Sequence, residues 1–235
     1  MKHRAAIIFF VKSPVAGKVK TRLGREITQT NAVFLYKNFV KDIFSTLGKC
    51  DCEIRIYFSP ENGRSRIMKL LGEPIAVYPQ QGDDLGKKME NALHETFETG
   101  FEKAVLIGSD IPDISKDIII SAVDALSAYP AVIGPATDGG YYLIGFTEKA
   151  FMPGLFSGIV WSGPEVLSRT TDLFKKNKID FFMLQALMDI DTLNDLKHFM
   201  KKEEQHLKIT PYTFNALKKS GLFPARKING EKEFE

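Results

Sequence analysis

Lys12, Lys18, Lys20 and Arg22 put four cations into the stretch K-S-P-V-A-G-K-V-K-T-R at residues 12–22. Cations at that density match the charge of phosphate oxygens, and the planar guanidinium of Arg22 can bind two of them at once. Pro14 fixes a turn there, and Gly17 lets the backbone approach a ligand closely. The spacing is neither G-x-x-x-x-G-K-[ST] nor G-x-G-x-x-G, so the stretch is not a Walker or a dinucleotide loop. A second set of residues is acidic: Asp110 in G-S-D-I-P-D, Asp138 in A-T-D-G-G-Y-Y, and Asp189 and Asp191 in D-I-D-T. Carboxylates near a phosphate-binding loop suit two tasks. They can hold a Mg²⁺ or Mn²⁺ ion that neutralises a diphosphate, or orient and deprotonate a hydroxyl group.

The ordinary use of an aspartate at such junctions is to cap a helix or close a turn, and that role is expected of Asp113, Asp189 and Asp195. Asp110 reads as functional, because it ends an apolar strand where an unpartnered carboxylate is costly. Asp138 reads as functional because Gly139 and Gly140 follow it. Two glycines there imply either a turn with positive φ or a backbone pressed against a ligand. Tyr141 can stack on a sugar or base, whereas Tyr142 reads as a strand residue. For Trp161, the only tryptophan, core packing and ligand contact both stand open.

These residues lie at the ends of predicted elements. An unbroken apolar run at 5–11 reads as a buried strand that empties into the basic stretch. Apolar residues at helical spacing predict a helix over 28–47, and a strand follows at 53–58 before the turn-rich 59–63. The pattern continues with a helix at 64–71, a strand at 75–78, a helix at 85–97 and a continuous apolar strand at 103–107. Ser115 is expected to cap a helix running to 128. Strands are predicted at 131–133, 141–146 and 181–184. A helix capped by Ser162, with Pro164 in its first turn, precedes the last of these, and another begins near Asn194. Strand alternating with helix throughout predicts an α/β fold with a mostly parallel sheet flanked by helices. In such sheets ligands gather at the carboxyl ends of strands, where the basic stretch, Asp110 and Asp138 all fall.

Seven Lys or Arg residues precede the first acidic residue, Glu26, although the whole chain of 235 residues carries a net charge of only +3. The basic character is therefore local, and a general nucleic-acid binder is not expected. The longest apolar run is too short to span a bilayer, and the N-terminal one lacks a small-residue cleavage site, so a cytoplasmic protein is expected. Cys50 and Cys52 are too close in sequence for a mutual disulfide and read as reduced thiols, and the four histidines show no ligand spacing. The charged, Pro- and Gly-interrupted C-terminus reads as a helix and loosely held tail over 206–235, appended to a domain over 1–205 and without an active-site role.

Taken in order, K-x-P-x-x-G-K-x-K-T-R-L (12–23), Q-x-G-D-D-L-G-x-x-M (80–89), G-S-D-I-P (108–112), G-P-A-x-D-G-G-Y-Y-L-I-G (134–145), W-S (161–162) and D-I-D-T (189–192) resemble a bacterial family described as glycosyltransferases. That family is associated with radical-SAM and selenium-related gene neighbourhoods, and belongs among the nucleotide-diphospho-sugar transferases. The resemblance covers about residues 4–200. It implies a GT-A fold with a Rossmann-like mixed sheet, and transfer of a sugar from a nucleotide-diphospho-sugar donor. The same superfamily holds nucleotidylyltransferases, which consume a nucleoside triphosphate, and a catalytically silent nucleotide-binding module is the third alternative. The resemblance implies Asp110, helped by Asp191, as ligands of a divalent Mg²⁺ or Mn²⁺. It places Lys12, Pro14, Gly17, Lys20 and Arg22 on the diphosphate, with Lys20 and Arg22 stabilising the leaving group. Asp138 would act on the acceptor hydroxyl. Gly82, Asp84, Gly86, Gly139, Gly140, Tyr141 and Trp161 would line the substrate. The D-x-D of many sugar transferases is absent, since the chain has Asp110-Ile111-Pro112-Asp113. Lys88 stands where the family tends to have Arg. The donor base, the sugar, the acceptor and the oligomeric state are not legible in these motifs.

Overall fold

The computed structural model describes residues 4–72, 76–161, 163–202 and 209–220. Strand β1 (Ala5–Lys12) is the axis of a seven-stranded sheet and pairs in parallel with β2 (Glu53–Ser59) on one side and β4 (Lys103–Ile107) on the other. β3 (Val77–Pro79) extends the β2 edge in parallel. Beyond β4 come β6 (Tyr141–Thr147), then β5 (Ala131–Pro135) and β7 (Phe181–Met183), giving the order β3-β2-β1-β4-β6-β5-β7. Only β6 runs against its neighbours, so the sheet is mixed and mostly parallel. The order in which strands are added to the sheet switches sides between β1 and β4, and the carboxyl ends of these parallel strands open there as a crevice.

The continuous apolar runs of β1 and β4 follow from burial on both faces. Ile7, Phe9 and Val11 face a cluster built with α2 (Gln29–Leu47), α3 (Arg64–Leu71) and α5 (Lys116–Ala125). Ile8 and Phe10 face the opposite cluster, built with α4 (Leu85–Glu98) and α6 (Val166–Lys176). A third cluster, away from the sheet, joins α1 (Thr21–Ile27), α2, α7 (Leu193–Lys201) and α8 (Pro211–Ser220) through Leu23, Phe39, Phe199 and Leu217.

Several expectations shift. The basic stretch ends in a helix, α1, because Leu23 and Ile27 bury themselves in the third cluster. Helix α6 starts at Val166, two residues after Pro164, which stays in the preceding turn against Gly139; a Cβ on Gly139 would collide with the Pro164 carbonyl. Helix α5 is capped by Ser115 as expected but ends at Ala125, where tighter turns take over. Ser162, Ile75 and most of 206–235 lie outside the described residues. The described part of the C-terminus, α8, is docked against α2, and the expected tail lies outside the described residues. Asp42 of α2 accepts hydrogen bonds from the first-turn amides of Tyr212 and Thr213 at 3.0 and 2.7 Å. No helix among the described residues is long and apolar enough to cross a membrane, and Cys50 and Cys52 are free thiols.

Candidate functional site

The crevice at the carboxyl ends of β1 and β4 divides into two chambers that share Arg22, Asp110, Asp191 and Tyr141. The chamber on the β1 side, of about 360 Å³, is cationic and is lined by Lys12, Lys18, Lys20 and Arg22, with Gln80 from the loop after β3. The other, of about 490 Å³, lies toward β5 and β6. It is lined by Asp138, Gly140, Trp161 and Asp189 beside the shared residues, with Ile111 and Ile114 on an apolar wall.

The four cations of the basic stretch do not play one part. Lys12, Lys18 and Arg22 are exposed, whereas Lys20 is buried, with its side chain only 2% exposed. The Lys20 ammonium lies 2.5 Å from an oxygen of Asp110 and 2.7 Å from one of Asp191. Burial discourages the charged amine, but these two carboxylates outweigh it and hold its pKa above the ordinary lysine value. Its backbone is left-handed, φ 45° and ψ 47°, at the start of α1. That conformation costs a residue with a side chain roughly 1–2 kcal/mol, so tertiary contacts must hold it. Arg22 reaches Asp191 only at 3.9 Å and keeps a 67% exposed side chain, free to turn into either chamber. Pro14 is buried and Gly17, φ 75°, stands in open space; both shape the turn and neither lines a chamber.

Asp110 follows β4, and its carboxylate is about half exposed toward the cleft. Desolvation would raise its pKa, but Lys20 and, beyond it, Lys12 hold it below the usual carboxylate range. Asp191 is brought to it by the chain after β7. Leu187 pairs with the end of β5, and the Ile190 amide donates to the Asp110 carbonyl at 3.1 Å. Thr192 caps α7 in a capping box with Asp195, so the Asp195 expectation holds. Asp189, also expected to cap, does not. It lines the acidic chamber, and desolvation together with Asp138 and Asp191 pushes its pKa up to about 6. Asp113 is tied to Lys202 at 2.7 Å.

Asp138 accepts the Gly140 amide at 2.9 Å, a local turn that leaves the carboxylate exposed in the chamber. Gly139, φ 93°, faces the Pro164 backbone, and its carbonyl accepts from the Leu167 amide, so the turn is braced on the start of α6. Tyr141 meets Trp161 edge to face, ring centroids 6.4 Å apart. Gly86 permits this wall: a Cβ there would stand 2.6 Å from the Trp161 ring. Asp84 caps α4 through the Lys87 amide, and Gly82, φ 135°, packs against the same helix turn. Gly82, Asp84 and Gly86 therefore set the start of α4 and do not themselves line a chamber; Leu85 between them does.

Tyr36 is a site residue that sequence reasoning passed over. Its buried hydroxyl accepts the Lys12 amide and shares a hydrogen bond with Ser109, each at 2.9 Å, pinning the ends of β1 and β4 together. Burial, then the charge of Asp110, raises its pKa, so it stays a neutral phenol. On the buried face of α2 its ring resembles any core aromatic, and its hydroxyl is the only signal in the sequence. Tyr142 is likewise more than a strand residue, since it lines both chambers and donates to the Gln185 carbonyl at 3.1 Å.

Among the described residues no group of three or more His, Cys, Asp or Glu is placed to hold a metal ion. Mg²⁺ and Mn²⁺ need no such cage, being held in many enzymes by one or two carboxylates plus substrate phosphates. Asp110 and Asp191 fit that donor set, and they already share one cation, the Lys20 ammonium.

The family model described as "Uncharacterized protein conserved in bacteria (DUF2064)" matches residues 43–163. A solved "putative nucleotide-diphospho-sugar transferase" from Desulfovibrio desulfuricans G20 superposes with a TM-score of 0.87 at 34% identity, over 92% of this chain and 95% of that one. A curated relative, 2-phospho-L-lactate guanylyltransferase of Methanocaldococcus infernus, is 24% identical over 187 residues, 78% of this chain and 79% of its own. The manganese complex of Rv0371C from Mycobacterium tuberculosis H37Rv shares the fold alone, at a TM-score of 0.51 and 13% identity over 86% of this chain and 100% of that one.

Proposed function

The chain belongs to the DUF2064 family, and from the geometry of its cleft we propose that it transfers a sugar from a nucleotide-diphospho-sugar to a hydroxyl acceptor with a divalent cation. The observation that carries this reading is the contrast between the chambers. The cationic chamber suits a diphosphate. The second chamber presents Asp110, Asp138, Asp189 and Asp191 with Arg22 as the only cation on its wall among the described residues, beside Tyr141 and Trp161. Such a lining disfavours a second anionic substrate and favours a neutral, hydroxyl-rich one that lies on aromatic rings.

In this reading Lys12 and Arg22 bind the donor diphosphate, and Arg22 at the junction stabilises charge on the departing nucleotide. Asp110 and Asp191 would hold Mg²⁺ or Mn²⁺, whose chemistry is to neutralise the phosphate oxygens. Asp138, exposed and held at one oxygen by Gly140, orients the acceptor hydroxyl and takes its proton. Tyr36 links the Lys12 amide to the Ser109 hydroxyl, so the ends of β1 and β4 that floor the two chambers stay in register.

Nucleotidylyl transfer is the second reading. The guanylyltransferase likeness favours it, and the DUF2064 match is neutral between the two. A thermal-shift and turnover screen with Mn²⁺ separates them. Stabilisation by nucleotide-diphospho-sugars, with release of nucleoside diphosphate, is expected. Pyrophosphate release from a nucleoside triphosphate, with no response to any nucleotide-sugar, would overturn the proposal in favour of nucleotidylyl transfer.

A further inference from the structure

Resting on the reading that Asp110 and Asp191 hold the divalent cation, we propose that Lys20 is a tethered counter-cation that competes with that metal. Its ammonium occupies an oxygen of each carboxylate and cancels their charge. It yields its place when metal and nucleotide arrive together, so the protein resists binding metal alone.

Four observations carry this. The ammonium contacts both carboxylates at once, at 2.5 and 2.7 Å, and so occupies the oxygens a divalent cation needs. Asp110 and Asp191 come from segments far apart in sequence, after β4 and before α7, and the Ile190–Asp110 backbone hydrogen bond already fixes their separation. The lysine is therefore not required to bring them together; it cancels charge that would otherwise stand in a partly desolvated cleft. Lys20 is also the one cation of the basic stretch whose side chain is buried, while Lys12, Lys18 and Arg22 remain exposed. Finally, Lys20 lines the cationic chamber beside Lys12 and Arg22, so a displaced ammonium needs only a side-chain rotation to meet an arriving phosphate. A flexible four-carbon stem with a point charge suits such an exchange better than a planar guanidinium would.

The exchange makes the first binding step a competition. A metal ion alone must evict an ammonium that has no new partner. A metal ion arriving with a diphosphate offers that ammonium a second anion. The two ligands should then bind cooperatively, with the lysine as part of the coupling.

Mn²⁺ binding to the full chain, followed by electron paramagnetic resonance and calorimetry without nucleotide, tests this. Lys20→Met should tighten Mn²⁺ binding at least about tenfold, because a cation at this range competes for carboxylate oxygens strongly enough to shift their proton affinity by about one to three units, and Mn²⁺ needs the same oxygens. Lys20→Gln, which keeps a hydrogen-bond donor for the carboxylates, should do the same and serves if the methionine variant does not fold. In the wild type, reductive methylation read by mass spectrometry should find Lys20 protected without metal and labelled with saturating Mn²⁺. An Mn²⁺ affinity within twofold of wild type in both variants, with Asp110→Asn abolishing binding, would overturn the lysine proposal and leave the metal reading standing. Unchanged protection of Lys20 at saturating Mn²⁺ would overturn it as well. If Asp110→Asn and Asp191→Asn bind Mn²⁺ like the wild type, the metal reading falls and this inference with it.

Discussion

Asp42 is fully buried and Asp110 half exposed at the cleft, and the chain satisfies the two aspartates with different kinds of donor. Asp42 is fully buried at the seam between α2 and α8, and its two oxygens accept backbone amides of Tyr212 and Thr213. Those amides belong to a helix turn and cannot leave without undoing the helix. Asp110 stands at the cleft floor, and its partner is an ammonium on a flexible stem. Such a donor can leave and return without unfolding anything. One seam is built from fixed dipoles and serves stability. The other is built from an exchangeable ion pair and serves ligand binding. The comparison implies that mutations at the two places should separate cleanly into loss of fold and loss of function.

The largest effect should come from the cleft. Asp138→Ala should lower turnover by about 10²–10⁴, the usual contribution of a positioned general base, while leaving metal-dependent nucleotide binding and folding stability intact. Donor hydrolysis and calorimetry check this, since Asp138 is exposed and closes only a local turn. Loss of metal-dependent binding would instead move Asp138 to the phosphate side and break the division between chambers. Next comes the seam. Asp42→Ala strands one buried and one part-buried amide and should cost about 2–4 kcal/mol in urea unfolding, with nucleotide affinity unchanged in the folded fraction. A parallel loss of affinity would show that α8 is coupled to the cleft through α2. Arg22→Ala should be smaller, weakening nucleotide-diphosphate binding by about 1.5–3 kcal/mol with stability nearly constant. Unaltered affinity by calorimetry would remove Arg22 from the donor site.

The two regions also differ in how far sequence alone reveals them. The alternation of strand and helix was legible because apolar runs and Gly or Pro breaks are local signals. Asp110 and Asp138 stood out for the same reason, each being followed by residues that stop or turn the chain. What escaped is non-local. Lys20 resembles its three neighbouring cations in sequence, and only Asp110 and Asp191, the latter 171 positions away, explain its burial. Tyr36 looked like helix core until its hydroxyl met Ser109, 73 positions on. Asp42 interrupts an apolar helix face with no visible partner, because its partners lie at the far end of the chain. Helix α1 is hidden in the sequence because the cations of 18–22 mask Leu23 and Ile27, whose burial depends on α7 and α8. Gly82, Asp84 and Gly86 misled in the other direction. Glycines and an aspartate beside a strand end fit a ligand loop, and here they fit a helix cap instead.

The smallest effect tests whether the seam tolerates charge or welcomes it. Two opposing influences act on Asp42. Burial penalises the carboxylate, while the amides at the start of α8 favour an anion there. Burial is the larger, and the Asp42 pKa is raised above its ordinary value. A raised pKa means that the folded protein holds this proton more tightly than the unfolded chain. The stability it contributes is therefore fully present below the unfolded carboxylate value of about 4 and is lost as pH rises through the folded value. Asp42→Asn removes that dependence and nothing else that titrates. The measured quantity is the gap in unfolding free energy, wild type minus variant. The gap should fall as pH rises from about 4 toward 7, since only the wild type loses stability over that window. Paired urea titrations across that range cancel the other carboxylates and read the difference directly. A gap that rises with pH would mean that the amides of α8 outweigh burial. Asp42 would then be a welcomed anion, held as Asp110 is held, and the contrast between the seam and the cleft floor would rest on donor mobility alone.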